Sequence, residues 1–286
     1  ALLEQMRRVG IKPDVITYSA AISACEKCGQ WEKALSLLEQ MRGVGIKPNV
    51  ITYNAAISAC EKGGKWEKAL SLLEQVHGVG IQPNAITYNA AISACEKGGQ
   101  WEKALSLLEQ MRGVGIKPNV ITYNAAISAC AKGKQWEKAL GLLEQMHYVG
   151  IKPDVITYNS AISACEKGGQ WEKALALLEQ MRGVRIKPDV ITYSAAIQAC
   201  ASAGQPTEAL QIFDEAQRKD EVNGISYNAI LDAVCTSHPA KARELYSSGR
   251  SLYGAVEGTQ NGSPKLDLHK HSEGAGETAV RWWLEE

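Results

Sequence analysis

Residues 50–84 read VITYNAAISACEKGGKWEKALSLLEQVHGVGIQPN, and most of the chain repeats this stretch with small changes. Self-similarity at a fixed period of about 20 to 50 residues is typical of stacked repeat arrays. Five copies have 35 residues, a sixth has 34, and a degenerate seventh follows them. The chain therefore divides into a partial repeat at 1–14, full copies at 15–49, 50–84, 85–119, 120–154 and 155–189, the shorter copy at 190–223, and the degenerate copy at 224–246.

Each copy contains two helical patterns. Apolar residues recur at helical spacing from Tyr53 to Cys60 and again from Trp66 to Leu73. The turn Gly63-Gly64-Lys65 separates the two patterns, and Pro83 prevents the second helix from continuing. The sequence predicts an all-α fold, a right-handed α-solenoid superhelix of stacked antiparallel helix pairs, with its handedness inferred by analogy with other helix-pair arrays.

Composition and charge exclude some classes of protein. The chain has 31 Lys+Arg and 31 Asp+Glu, so its net charge is zero. The composition therefore lacks the strong positive charge that would indicate a nucleic-acid partner. No apolar run is long enough for a membrane-spanning helix, and we expect no membrane association. Because residue 1 lies in the middle of a repeat, we expect a truncated chain whose targeting peptide would not be observed.

Several periodic or isolated residues invite a functional interpretation that we do not favour. One cysteine recurs in each repeat from Cys25 to Cys200. Equivalent cysteines on stacked units lie too far apart for disulfides, so we expect these cysteines to be small buried residues on the helix face. Cys28 and Cys235 have no partner at metal-ligand spacing, which predicts no metal site and no cofactor. His77 and His147 are isolated, and we assign them no ligand role. The tryptophans could form a base-stacking ladder, but their place on an apolar stripe favours packing between units; they are Trp31, Trp66, Trp101, Trp136 and Trp171.

The composition changes after residue 246. Residues 247–264 are rich in Ser, Gly and Asn, which predicts a linker. In the last segment, 265–286, a short strand-like run at Lys265–His269 precedes a predicted helix at Glu277–Glu286. A strand and one helix cannot close a core of their own.

The repeat resembles a known family. Its period, its VITYN opening, its WEKALSLLEQM second helix and its GIKPN or GIKPD ending are similar to the pentatricopeptide repeat family, over about residues 1–246. The run Leu266–His269, followed by a helix that ends in Trp-Leu, resembles the opening of a small MutS-related domain, which some members carry at the C-terminus.

The resemblance implies that the chain binds single-stranded RNA at one base per repeat. In the family the second residue of each repeat wedges against the base, and the fifth and last residues select it. The wedges would be Ile16, Ile51, Ile86, Ile121, Ile156 and Ile191. The fifth residues are Ser19, Asn54, Asn89, Asn124, Asn159 and Ser194, and the last residues are Asn49, Asn84, Asn119, Asp154, Asp189 and Asn223.

By the family's code these pairs imply the target 5′-A-C/U-C/U-U-U-A-3′. The chemistry agrees with it, since Asn offers a donor and an acceptor side by side, Ser leaves room for a purine, and Asp accepts only, which suits the ring N–H of uracil. The last base rests on a repeat of 34 residues, one shorter than the others. An alternative stays open, because Asn and Asp before a helix are ordinary N-cap residues.

A lysine recurs at the thirteenth residue, which in the family lies near the phosphates. These residues are Lys27, Lys62, Lys97, Lys132 and Lys167. A solvated helix end would explain the same series.

We favour a sequence-selective RNA-binding module without catalysis of its own, monomeric and working with other RNA-processing proteins. A nuclease is a second hypothesis, with Asp267 and His269 as candidate metal or acid–base groups. Lys270 stands where the family has glycine, so we expect no cleavage. A protein-binding helical scaffold is a third hypothesis, favoured by the neutral charge. Family habit implies a mitochondrial or chloroplast location.

Overall fold

The structure, a computed structural model, describes residues 2–249, 257–260, 263–266 and 275–279. The chain divides into two compact units, Ala1–Lys152 and Pro153–Glu286. The first unit contains α1 (Leu2–Arg8), α2 (Val15–Lys27), α3 (Trp31–Gly43), α4 (Val50–Lys62), α5 (Trp66–Gly78), α6 (Ala85–Lys97), α7 (Trp101–Gly113), α8 (Val120–Lys132) and α9 (Trp136–Tyr148).

The second unit begins with the same alternation of helices. It contains α10 (Val155–Lys167), α11 (Trp171–Gly183), α12 (Val190–Ser202), α13 (Pro206–Arg218), α14 (Gly224–Val234), α15 (Pro239–Gly249), β1 (Glu257–Gln260) and β2 (Ser263–Leu266). Residues 275–279 are also helical.

Within each unit the helices form consecutive stacked pairs. The first helix of a repeat packs on its own second helix and on the first helix of the next repeat, as α4 does on α5 and α6. In the turn between α4 and α5, Gly64 has φ +67°, the left-handed conformation that glycine adopts without strain. The predicted all-α array of helix pairs is confirmed.

The apolar face predicted for the first helix is the core. Tyr53, Ile57 and Cys60 are at most 1% exposed, and their equivalents in the next copy are fully buried. Burial raises the pKa of the Cys60 thiol to about 11, so this thiol stays protonated at neutral pH. The expectation of small buried helix-face cysteines is confirmed for every periodic cysteine from Cys60 to Cys200, while Cys25 is half-buried.

Trp31, Trp66 and Trp101 pack against the next repeat, as expected. Trp66 begins α5, and its ring lies against Gly98 of the next repeat, where a Cβ atom would overlap the indole Cδ1. Gly98 has φ −80°, so its backbone suits any residue, and the close approach of the ring is what requires glycine. The ammonium of Lys103 lies 4.1 Å from the Trp66 ring centroid and covers the indole further.

A second contact between repeats joins Arg42 to Tyr53. The Arg42 guanidinium donates to the Tyr53 hydroxyl at 2.5 Å and to Gln75 Oε1 at 2.7 Å. Where the next repeat has His77 in place of arginine, the imidazole meets the Tyr88 ring edge-on with centroids 6.5 Å apart. The buried Tyr88 hydroxyl then has no hydrogen-bond partner among the described residues.

The C-terminal segment differs from the predicted linker. Helix α15 continues through Gly249, and β1 lies inside the segment predicted to be a linker and pairs antiparallel with β2. Leu245 and Tyr246 are buried, which anchors the last turn of α15 despite its Ser-Ser-Gly composition. Asn-Gly, the sequence between the two strands, is a strong signal for a two-residue hairpin turn.

Other predictions for this segment fall on residues outside the described ones. Of the strand-like run Lys265–His269, the first two residues belong to β2, and Asp267 and His269 lie outside the described residues. Within the predicted helix Glu277–Glu286, residues up to 279 are helical, and Val280, Trp283 and Leu284 lie outside. The resemblance to a small MutS-related domain therefore stays a prediction.

We expect Gly98→Ala to lower the free energy of unfolding by about 1 to 3 kcal/mol, because the new methyl group must displace the Trp66 ring. Urea unfolding followed by circular dichroism measures the change. Gly113→Ala is the matched control, since a Cβ there meets nothing within 4 Å. Equal stability of the two variants would contradict the Trp66–Gly98 packing argument.

Tyr53→Phe and Tyr88→Phe should have opposite effects. The first removes a hydroxyl that Arg42 bonds and should cost about 1 kcal/mol, whereas the second removes a buried hydroxyl that lacks a partner and should be neutral or stabilising. Thermal unfolding of the two variants beside wild type tests this, and an equal loss in both would refute it.

Candidate nucleic-acid interface

The last residue of each repeat is the N-cap of the next repeat's first helix. Asn84 has an extended backbone, and its Oδ1 accepts from the backbone N–H of Thr87 at 3.1 Å while the Thr87 hydroxyl accepts from the Asn84 N–H at 3.0 Å. This reciprocal arrangement is a capping box, and it satisfies N–H groups that a helix start otherwise leaves unpaired. Equivalent capping boxes form at Asp14, Asn49, Asn119, Asp154, Asp189 and Asn223. The capping interpretation is confirmed, and base selection by the same residues stays a prediction.

The fifth residue lies beside the last residue of its own repeat. Asn54 Nδ2 donates to Asn84 Oδ1 at 3.3 Å, and Asn89 Nδ2 donates to Asn119 Oδ1 at the same distance. The structure thus brings together two side chains that are 30 positions apart in sequence. Asn124 and Asp154 belong to different units, and each occupies the same place in its own helix or cap.

An aspartate in the last position keeps the same geometry. Asn159 Nδ2 lies 3.1 Å from Asp189 Oδ1 and 3.3 Å from Oδ2. Burial opposes the charge of Asp189, but hydrogen bonds from Thr192 and Asn159 outweigh that effect and hold the pKa of Asp189 below its ordinary value. Asp189 is therefore ionised at neutral pH and presents an acceptor.

The asparagine caps leave a donor available. In Asn49, Asn84 and Asn119 the Oδ1 atom accepts the capping bonds, whereas Nδ2 donates no hydrogen bond within the described residues. These side chains are half-buried or exposed. An asparagine cap therefore offers N–H groups to a ligand, and an aspartate cap offers a carboxylate oxygen.

The shorter sixth repeat preserves the same pair. Ser194 Oγ donates to the Val190 carbonyl at 2.7 Å and lies 3.2 Å from Asn223 Oδ1, and Asn223 caps α14. The missing residue has therefore not displaced the cap from the fifth residue.

The second-position isoleucines are exposed apolar side chains. They lie on the first turn of the first helix, one turn from the fifth residue. Their exposures are Ile16 73%, Ile51 63%, Ile86 61%, Ile121 58%, Ile156 61% and Ile191 60%. A second exposed apolar residue also recurs in each copy, the valine of which Val44 and Val79 are examples, so exposure alone does not distinguish the isoleucines, and their role as wedges stays a prediction. Ile225, 62% exposed at the same position of the degenerate copy, belongs to this row, and the sequence interpretation missed it.

The lysines at the thirteenth position are mostly paired with acids. Lys62 contacts Glu26 at 2.7 Å, Lys97 contacts Glu61 at 2.5 Å, and Lys132 contacts Glu96 at 2.6 Å, each across a repeat boundary. No ion pair within the described part of the chain involves Lys27 or Lys167. Phosphate binding by the three paired lysines would have to compete with a carboxylate, so their assignment stays a prediction with less support.

Sequence reasoning missed the third residue of the repeat. Thr52, Thr87, Thr122, Thr157 and Thr192 are fully buried, and each completes a capping box. The signal was present in the sequence, since Thr recurs at this position in six consecutive copies from Thr17 to Thr192. Among the described residues, no helix is long and apolar enough to cross a membrane, and no cluster of potential metal ligands forms.

Comparisons with known proteins agree with the helix-pair architecture. The family described as "Pentatricopeptide repeat domain" matches residues 1–63, "PPR repeat family" matches 48–97, 83–132, 118–167 and 153–202, and "PPR repeat" matches 191–220. A search of curated proteins finds no significant match.

Solved structures with the same fold include the pentatricopeptide repeat protein PPR10 from maize, with a TM-score of 0.62 and 26% identity over 99% of this chain and 41% of that one. PPR10 in complex with an 18-nt psaJ RNA element gives a TM-score of 0.58 and 22% identity over 99% and 44%. The PPR domain of Arabidopsis thaliana protein-only RNase P 1, in complex with tRNA, gives a TM-score of 0.51 and 19% identity. The match covers 57% of this chain and 86% of that one. The chain thus spans less than half the length of the PPR10 chains.

We expect Asp189→Asn to lower stability at neutral pH and to lose this effect in acid. The lowered pKa of Asp189 means that the wild-type carboxylate stabilises the fold above its ordinary pKa of about 4, and that this contribution disappears as pH falls through the lowered value. Urea unfolding across that pH range measures the difference. Asn119→Asp should introduce the same pH dependence at an equivalent cap, and a pH-independent difference would contradict the assignment.

Proposed function

Because the chain belongs to the pentatricopeptide repeat family, which matches residues 1–220, we propose that it binds single-stranded RNA and selects one base with each repeat. The observation that carries the proposal is the adjacent pair of fifth and last residues next to an exposed isoleucine. A base resting on Ile86 would meet Asn89 and Asn119 at its edge, and one on Ile156 would meet Asn159 and Asp189.

The proposed base at each repeat follows from which atom the cap leaves available. The Nδ2 donors of Asn119 suit the ring N3 of cytosine, which accepts a hydrogen bond. The ionised carboxylate of Asp189 suits the ring N3–H of uracil, which donates one. Serine at the fifth position is shorter and leaves space for adenine. The proposed target stays 5′-A-C/U-C/U-U-U-A-3′.

We propose a binding module without its own catalysis, acting by covering RNA or presenting it to RNA-processing proteins. Residues Asp267 and His269, on which the nuclease alternative depends, lie outside the described residues. The family's habit supports a mitochondrial or chloroplast setting. In that setting the module would serve RNA processing, stability, editing or translation.

A protein-binding scaffold is the alternative that one observation favours. Three of the five candidate phosphate lysines are paired with glutamates, so the charge available to RNA is small. Absence of any RNA binding, with the fold intact, would favour the scaffold.

Reciprocal changes at two caps test the proposed base selection. Asn119→Asp should shift the preferred third base toward uracil, and Asp189→Asn should shift the fifth base from uracil toward cytosine. We expect about tenfold changes in relative affinity, or about 1.4 kcal/mol. Fluorescence anisotropy with ACCUUA, ACUUUA and ACCUCA, in otherwise identical oligonucleotides, measures both.

Each variant serves as the control for the other. Asn119→Asp should leave the preference at the fifth base unchanged, and Asp189→Asn should leave the third unchanged. The proposal is wrong if wild type binds ACCUUA no better than a scrambled RNA, or if neither variant changes its own base.

A further inference from the structure

We propose that the buried third-position threonines Thr87, Thr122 and Thr192 are positioning residues, each of which fixes the amide of the preceding repeat's fifth residue and so sets base selection one repeat away. This inference rests on the proposed function and adds a residue to it. In this arrangement Thr87, in the repeat 85–119, acts on the base read by the repeat 50–84.

The hydroxyl contact across the repeat boundary is short. Thr87 Oγ1 lies 2.6 Å from Asn54 Oδ1, Thr122 Oγ1 lies 2.6 Å from Asn89 Oδ1, and Thr192 Oγ1 lies 2.5 Å from Asn159 Oδ1. The same three hydroxyls lie 3.1, 3.1 and 2.9 Å from the Oδ1 atom of their own cap. A hydroxyl has one proton, and the shorter distance assigns it to the asparagine of the preceding repeat.

Capping does not need that proton. The Thr87 side chain completes the cap by accepting the Asn84 backbone N–H at 3.0 Å, and Asn84 Oδ1 receives the backbone N–H of Thr87. The proton of the hydroxyl is therefore available for a separate role, which is to hold Asn54 Oδ1.

The contact fixes which end of the Asn54 amide faces the cap. With Oδ1 held by Thr87, Nδ2 donates to Asn84 Oδ1. A flipped amide would place Oδ1 against Asn84 Oδ1, two acceptors facing each other, and would lose the bond from Thr87. At Asn159 the flipped oxygen would face the Asp189 carboxylate, which is worse. The remaining N–H of the fifth residue therefore has a defined direction when a base arrives.

The chain contains a natural comparison in its two serine repeats. Where the next repeat has Thr52, the Ser19 and Thr52 hydroxyls lie 2.8 Å apart. Where the next repeat has Ser226, the Ser226 hydroxyl instead donates to the Asn223 carbonyl at 2.8 Å, and Ser194 bonds within its own repeat. Ser226 nevertheless completes the capping box.

The difference between Thr52 and Ser226 has a steric cause. Threonine is β-branched, so fewer χ1 rotamers are open to it in a helix than to serine. The extra methyl group therefore helps to hold the hydroxyl toward the preceding repeat. Serine at the third position therefore supports the cap alone, whereas threonine supports both the cap and the contact with the preceding repeat.

Two variants of Thr87 test the inference through base discrimination in anisotropy titrations of the whole chain. Discrimination at the second base is measured as the ratio of affinities for ACCUUA and AACUUA, called the second-base ratio. Discrimination at the fifth base is measured as the ratio of affinities for ACCUUA and ACCUAA, called the fifth-base ratio. We expect Thr87→Val to reduce the second-base ratio about tenfold and to leave the fifth-base ratio unchanged. Thr87→Ser should reduce the second-base ratio about threefold at an unchanged melting temperature, since Ser226 shows that serine maintains the cap.

A purely structural role for Thr87 would lower affinity for all RNAs together and leave both ratios alone. An unchanged second-base ratio in Thr87→Val, or an equal loss at both bases, overturns the inference. Should Thr87→Val fail to fold, Thr87→Ser decides by the same criterion. If wild type shows no base preference, the proposed function fails; if wild type discriminates and both variants discriminate equally, the positioning role alone fails.

Discussion

A helix begins with backbone N–H groups that have no partner inside the helix, and in this chain the residue that satisfies them also ends the preceding repeat. Because the backbone uses Oδ1 of the cap, the second polar atom of the side chain is Nδ2 in Asn119 and, in Asp189, Oδ2, which lies 3.3 Å from Asn159 Nδ2. The alternatives at this position are therefore a donor or an acceptor. The need to start a helix restricts the residue to a few types, and in the proposed function the choice between asparagine and aspartate selects the base.

The same junction also places the candidate recognition residues. The first helix starts at the cap, so the second residue lies on its exposed first turn, the third is buried beneath the cap, and the fifth comes one turn later. A base that contacts the isoleucine is then beside the polar pair. In the proposed function, the geometry that starts each helix therefore also positions the base-selecting residues, and the contact from Thr87 to Asn54 would link the cap of one repeat to base selection by the repeat before it.

Stability in such an array is a sum of contributions from individual repeats and their junctions. Trp66 packs on Gly98 at one junction, and Arg42 bonds Tyr53 at another. The copies are not equal, since His77 leaves the Tyr88 hydroxyl without a hydrogen-bond partner among the described residues. Charge is balanced locally as well as overall, because the Lys62–Glu26 type of pair crosses successive boundaries. Affinity for RNA in the proposed function would then depend on base contacts more than on release of counterions.

The sequence by itself determined the period, the two helices of each copy, the buried Tyr53 and Cys60, and the candidate recognition positions Ile51, Asn54 and Asn84. Periodic spacing and turn residues carry that information locally, and the repetition amplifies it. Only the tertiary structure decided what depends on residues of neighbouring repeats. Thr87 has the pattern of an ordinary helix residue, and only the structure shows its contact with Asn54. Likewise, only the structure shows the ion pair of Lys62 with Glu26 and the pairing of residues 257–260, inside the predicted linker, with β2. A hydroxyl, an ammonium or a strand has its role set by what it contacts, and those contacts join residues about 30 positions apart or require a partner strand.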